Sequence, residues 1–254
     1  MNVAVSTWSL RDHVNKDFPL KDFPGVVKEY YGVDAVELCQ MHFQAQDSKY
    51  LDEIVDGIRM AGAVVVNMPI DTGNISQLDE RKRNHDLGVI KGWMDVAAYI
   101  GCASVRVNTG SQGPGIVDLA ITVDSYRNLA EYGEKIGVMV LLENHGGISS
   151  DPENIARLFE EIGHKNFGAC PDFGNFAPEV RYQGLMAMAR YAVMAHAKTY
   201  DFDEKGQVPQ FDFARCIAIL KDAGFDGYLS VEFEGKGDQY AGVERTIELI
   251  KESW

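Results

Sequence analysis

The chain has 254 residues, 46% hydrophobic and 24% charged, which excludes disordered, collagenous and low-complexity classes and leaves enough apolar mass for a sizeable core. Its 24 Lys and Arg face 38 Asp and Glu, a net charge of −14 that repels phosphate backbones and anionic lipid surfaces and so argues against nucleic-acid and membrane partners. No run approaches the ~20 apolar residues of a spanning helix, MNVAVSTWSLRDH lacks the features of an export signal, and Cys39, Cys102, Cys170 and Cys216 form no CxxC pair, so a cytoplasmic protein with reduced thiols is expected.

Short apolar runs alternate with longer amphipathic segments along the whole chain. Strands are predicted at about 2–6, 34–38, 63–67, 104–108, 138–143, 167–172, 193–198 and 228–232, continuous apolar runs suited to a sheet covered by helices on both faces. Between them, Leu87, Ile90, Met94 and Ala97 recur at helical spacing, as do Ile155, Leu158 and Ile162 behind the Asp151-Pro152 cap. Phe213, Ile217 and Leu220, and then Tyr240, Val243, Ile247 and Ile250, repeat the pattern. Gly32, Gly62, Gly101, Gly137, Gly163 and Gly224 each stand just before a predicted strand, where a helix end needs a positive φ. Eight such βα units predict an α/β fold, a single (β/α)8 TIM barrel over 1–254, with an open doubly wound sheet as the alternative. Loops around 68–78, 109–117 and 199–209 follow strands and would crowd one end of the barrel.

That end is where barrel active sites lie, and the residues expected there are unusually polar: Glu37, Asn67, Arg106, Asn108, Glu143-Asn144-His145, Asp172, His196, Lys198 and Glu232. Glu143, Asp172, His196 and Glu232 come from four consecutive strands and would converge on the barrel axis. Three carboxylates and an imidazole suit one divalent ion such as Mn²⁺, Mg²⁺, Co²⁺, Fe²⁺ or Zn²⁺, with positions left over for a substrate. Taken singly, Glu37 reads as a solvated rim residue, His196 as a hydrogen-bonded core histidine, and Lys198 as a snorkelling lysine; equivalent placement on successive strands gives the set its weight. His145 lies on the loop side of its strand end, and His13 and His42 are the other histidines near the mouth. Trp8 and Phe173 could form an apolar wall against a sugar ring. GSQGPG (110–115) lacks the Lys-Ser/Thr of a P-loop and reads as a lid; FEGKGDQ (233–239) opens the last helix, where amides can bind an anion, but reads first as a simple loop.

With VSTWSL, GVDAVEL, SVRVNTG, LLENHGG, CPDFGN, AHAKTYD and GYLSVEFEG in this order, the chain resembles the xylose isomerase-like TIM barrel superfamily, the sugar phosphate isomerase/epimerase group, over essentially its whole length. The resemblance implies a divalent metal on Glu143, Asp172, His196 and Glu232, manganese among the candidates, with Glu143 and Glu232 also moving protons beside the carbonyl of a keto-sugar or related polyol. It makes Arg106 and Lys198 candidates for a substrate oxygen and Glu37 for a hydroxyl, with Trp8, Asn67, His145 and Asn175 completing the expected substrate-binding set. Two positions depart from the ketose 3-epimerase pattern, since Asn175 stands where many members have a histidine and Ser149 where epimerases have a glutamate. Proton abstraction is therefore the expectation, isomerisation or epimerisation its first outcome and elimination, as in inosose dehydratase or enzymes cleaving 3-keto-glycosides, the alternative. An endonuclease IV-like nuclease would need more histidines than the six present and a surface less acidic than −14. A barrel that only binds sugar would not need two flanking carboxylates. Homo-oligomerisation is compatible with the sequence, though no apolar stripe dictates it.

Overall fold

A computed structural model of the protein describes residues 1–115 and 117–254. Eight strands, β1 (Asn2–Ser6), β2 (Ala35–Glu37), β3 (Val64–Ile70), β4 (Ser104–Val107), β5 (Met139–Leu142), β6 (Phe167–Ala169), β7 (Met194–Thr199) and β8 (Tyr228–Phe233), alternate with eight principal helices. The helices are α1 (Phe23–Tyr31), α2 (Ser48–Ala61), α3 (Glu80–Tyr99), α4 (Leu119–Ile136), α5 (Pro152–Ile162), α6 (Arg181–Ala189), α7 (Phe213–Asp222) and α8 (Gln239–Ser253). All strand pairs are parallel, in the order β6-β5-β4-β3-β2-β1-β8-β7. The remaining seam, between β6 and β7, is bridged at Ala169 to Ala192 and at Asp172 to His196. Val193 N–H donates to Ala169 O at 3.0 Å, and His196 N–H to Pro171 O at 3.0 Å. This is the expected (β/α)8 barrel. No helix among the described residues is long and apolar enough to cross a membrane.

Two strand ends differ from the sequence reading by more than one residue, both at prolines. β3 runs on to Ile70, with Met68, Pro69 and Ile70 opposite Val105, Arg106 and Val107, because proline costs a strand only one donor. β6 stops at Ala169, where Pro171, without an N–H, reduces the ladder to bridges. Those bridges set Asp172 beside His196, so the closing seam itself brings two polar side chains together.

The six glycines before the strands all hold left-handed backbone, φ 55–78°, so each helix can stop and turn within one residue. At the opposite ends, Asp47, Asp79, Asp118, Asp151, Asp212 and Asp238 cap α2, α3, α4, α5, α7 and α8, each carboxylate accepting a first-turn amide. The main core lies between strands and helices, and a second cluster of Ala4, Ala35, Val66, Leu141, Cys170 and Met194 forms apart from it. Strand alternation carries this second row upward into the polar one: Ala35 to Glu37, Ser104 to Arg106, Leu141 to Glu143, and Met194 to His196 and Lys198. The floor of the barrel is thus apolar and its mouth charged. All four cysteines are buried and unpaired. The loop expected at 109–117 includes Ile116, outside the described residues; Gly110 O and Ser111 O accept bonds from Ile148 N and Asn74 Nδ2, so this part of the loop is tied down.

Candidate metal centre and active site

Glu143, Asp172, His196 and Glu232, all buried, offer one ligand atom each, and these atoms lie within 4.8 Å of one another. Ligands of one small divalent ion, each at about 2.1 Å, stand at most about 4.2 Å apart, so the set needs only a slight contraction to close on a cation. His196 Nδ1 is 2.8 Å from Glu143 Oε1, 3.8 Å from Asp172 Oδ2 and 3.9 Å from Glu232 Oε1. Glu143 Oε2, Asp172 Oδ2 and Glu232 Oε2 are buried without a well-aligned hydrogen bond, each met only by the charge of Arg106 or Lys198. Buried carboxylate oxygens are costly unless cations meet them, and three carboxylates converging with an imidazole make an oxygen and nitrogen donor set that fits a divalent metal.

The far side of the imidazole is anchored. Glu37 Oε2 lies 3.0 Å from His196 Nε2 and accepts from Asn67 Nδ2 at 2.8 Å, while Asn67 Oδ1 accepts from Ser104 Oγ at 3.0 Å. A carboxylate can only accept, so Nε2 carries a proton toward Glu37 and Nδ1 another toward Glu143; with Nε2 held by Glu37, Nδ1 faces the three other carboxylates, the orientation that outer partners impose on ligating histidines. Glu37 and Asn67, expected to touch substrate, are fully buried behind His196 and absent from the cavity wall. Glu37→Gln is expected to weaken Mn²⁺ affinity about 10- to 100-fold with little change in the circular dichroism spectrum, as calorimetric titration would show.

Two cations lie against the cluster. Arg106 Nε lies 2.9 Å from Glu143 Oε2 and its Nη1 bonds Asp71 and Asn108. Lys198 Nζ meets Glu232 Oε2 at 3.0 Å, Glu234 Oε1 at 3.1 Å, Asp172 Oδ2 at 3.3 Å and Asn175 Oδ1 at 2.9 Å. Asn175 Nδ2 also donates to Glu143 Oε1 at 3.3 Å, so this residue ties the lysine to the cluster. Asp172 is held from behind: Asn144 Oδ1 accepts from its N–H at 2.8 Å, and Asp172 Oδ1 accepts from Gly174 and Asn175 N–H at 2.7 and 2.8 Å.

Burial pushes the Glu143, Asp172 and Glu232 carboxyls upward, and the local partners decide the outcome. In Glu143 the Arg106 guanidinium and His196 ring more than reverse it, and in Glu232 Lys198 and His196 do, so both stay ionised and able to accept a proton. For Asp172 burial wins over Lys198 and raises the carboxyl to about 8. Burial disfavours the His196 imidazolium too, but Glu37, Glu232 and Glu143 outweigh that and raise it. A metal must displace these protons, so Mn²⁺ affinity is expected to fall by at least about tenfold per pH unit below about 8, and titrations at several pH values would show it.

A cavity of about 270 Å³ opens over the cluster, at the small end of ligand sites, lined by residues that include Trp8, Arg106, His145, Lys198 and Glu232. Glu232 faces it directly, whereas Glu143 is absent from its wall. Trp8 Nε1 donates to Glu234 Oε1 at 2.8 Å. Asp71, Glu234, Cys39 and Met41 also line the cavity and escaped the sequence reading. Continuing the inward alternation past the strand ends, from Asn67 to Asp71 and from Glu232 to Glu234, would have found the two acids. Phe173, read as a wall, is fully buried and packs edge-on against Phe213 at 5.3 Å, because alternation turns the neighbour of an inward Asp172 outward. Ser149 accepts from His145 N–H and donates to Gly146 O, so its hydroxyl serves the loop. The FEGKGDQ amides are taken: Asp201 Oδ1 accepts from Lys236 and Gly237 N–H. His13 pairs with Asp17 at 2.6 Å, and neither it nor His42 lines the cavity.

Residues 26–253 match the family model for the xylose isomerase-like TIM barrel. A curated relative, the uncharacterized protein MJ1311 of Methanocaldococcus jannaschii, is 25% identical over 228 residues, 83% of this chain and 76% of its own. The C-glycoside deglycosidase alpha subunit of Arthrobacter globiformis is 41% identical over 56 residues, 22% of this chain and 16% of that subunit. Among solved structures, 3-keto-D-glucoside 4-epimerase from E. coli superposes with a TM-score of 0.75 at 18% identity, covering 99% of both chains.

Proposed function

The chain belongs to the xylose isomerase-like TIM barrel family, and from that premise we propose that it is a divalent-metal-dependent sugar isomerase or epimerase that moves a proton beside the carbonyl of a keto-sugar or related polyol. The observation that carries this reading is the buried Glu143, Asp172, His196 and Glu232 cluster, with one member, Glu232, open to a cavity. The donor set accepts Mn²⁺, Mg²⁺, Co²⁺ or Zn²⁺, and a bound ion supplies Lewis-acid polarisation and offsets negative charge that develops nearby.

The rest is the work of the chain's own side chains. Glu232, ionised and facing the cavity, takes up and returns the proton. Lys198, on Glu232 Oε2, keeps that carboxylate charged between turnovers and fixes its rotamer. Glu143 is the second proton-transfer carboxylate, steered by Arg106 and His196. Trp8 and His145 on the wall, and Arg106 beside them, hold substrate oxygens and exclude water.

Elimination is a second reading, favoured by the local 41% identity to a C-glycoside deglycosidase subunit and by the same first step, proton removal next to a carbonyl. Product analysis by NMR after incubation of the Mn²⁺-loaded protein with ketoses, inososes and 3-keto-glycosides separates the two. Inversion or carbonyl migration supports the first; release of water or an aglycone supports the second. No product from any of them would count against both.

A further inference from the structure

We propose that the substrate is an uncharged polyhydroxy carbonyl compound, carrying neither phosphate nor carboxylate; the inference rests on the sugar-processing reading above and narrows its substrate class. Both permanent cations at the cavity are already matched. Arg106 lies against Glu143 and Asp71, and Lys198 against Asp172, Glu232 and Glu234. These five carboxylates face two cations, so even a divalent ion leaves the group one charge negative before Glu37 is counted. An anionic substrate would enter a site that already repels it, because like charges brought together are disfavoured.

The places where a barrel ordinarily receives a phosphate are filled as well. That site is usually built from the loops after the seventh and eighth strands and a helix N-terminus, whose free amides attract the anion. Here Asp212 Oδ1 accepts from Arg215 N–H and Asp238 Oδ1 from Ala241 N–H, each at 2.9 Å. Between them Asp201 Oδ1 accepts from Lys236 and Gly237 N–H at 2.8 and 2.9 Å. Four more helices at this face start under an Asp carboxylate, and no first-turn residue of α1 or α6, which lack that bond, lines the cavity. The chain's own carboxylates occupy the anion positions.

What the wall offers is acceptors for hydroxyl groups. Glu234 is held through Oε1 by Trp8 and Lys198, and Asp71 through Oδ1 by Arg106 and Asn108. In each the other oxygen has no hydrogen bond among the described residues, so it can take a hydroxyl hydrogen from a sugar but has nothing to give a phosphate oxygen.

The test is a binding measurement independent of turnover. Water-proton relaxation of the Mn²⁺-loaded protein, or calorimetry, is read with matched sets: D-fructose, D-fructose 6-phosphate and D-fructuronate, then D-tagatose with its 6-phosphate and D-tagaturonate. The uronates are close to their parents in size, so charge and bulk separate. The anionic members are expected to bind about a hundredfold more weakly than the neutral parents, and Asp71→Asn to narrow that gap. Equal or tighter binding of the anionic members, or no binding of either neutral ketose, overturns the inference. Neutral binding without any solvent-proton exchange would sink the proton-transfer reading and leave this inference standing; exchange confined to anionic members would do the reverse.

Discussion

Glu232→Gln is expected to lower the exchange of solvent hydrogen into substrate about 10²- to 10⁴-fold while leaving the barrel folded. The amide keeps an oxygen for a metal and nearly the same volume, but it cannot accept a proton. Glu232 is also the cluster carboxylate that the cavity reaches, and Lys198 on its Oε2 holds it ionised at neutral pH. Loss of exchange with metal still bound therefore isolates proton transfer from metal binding. The check is deuterium incorporation followed by mass spectrometry, with metal content measured on the same sample. Exchange at the parental rate would remove Glu232 from the acid/base role.

Asp172→Ala is expected to strip the metal. Asp172 Oδ1 is spent on the amides of Gly174 and Asn175, which leaves Oδ2 aimed into the cluster, where Lys198 is its nearest cation at 3.3 Å. Removing that oxygen takes away one of the four proposed ligands, and Mn²⁺ affinity should fall beyond the roughly 100-fold limit set for outer partners, well past the effect of Glu37→Gln. The two lost amide bonds cost stability, each about 1 kcal/mol, so Asp172→Asn is the control that keeps the volume and one acceptor oxygen. Elemental analysis after gel filtration and Mn²⁺ titration of both variants would test it. Metal retention equal to that of Glu37→Gln would mean that the ligand set is wrong.

The barrel was legible because its signals are local and repeated. Glycine ends the helices, aspartate starts them, and apolar runs separate them, so strand ends moved by more than one residue only at Pro69 and Pro171, where one missing N–H shifts a strand end without changing the fold. The convergence of Glu143, Asp172, His196 and Glu232 followed from their equivalent places on successive strands, and the geometry brings them together. Depth was less visible. Period-two alternation says that Glu37 and Asn67 point inward, but whether they meet a ligand or the back of His196 depends on the register shift between β2 and β3. The shift sets Glu37 opposite Asn67 and both beneath the imidazole. Asp71 and Glu234 were hidden because they lie past the strand ends, in stretches read as loop. The amides after β8 illustrate the reverse case, since FEGKGDQ looks open to an anion until Asp201, more than thirty residues away in sequence, is seen on them.

The central claim, metal-dependent proton abstraction at the strand ends, is tested most directly by solvent-deuterium incorporation at the carbon beside the carbonyl. The wild-type protein is run with Mn²⁺, with chelator, and with Mn²⁺ restored, on neutral ketoses, inososes and 3-keto-glycosides. The account predicts a deuteron at that carbon in at least one neutral member, lost with chelator and regained with metal. Exchange that persists in chelator, or none in any member with one Mn²⁺ bound per chain, would contradict it.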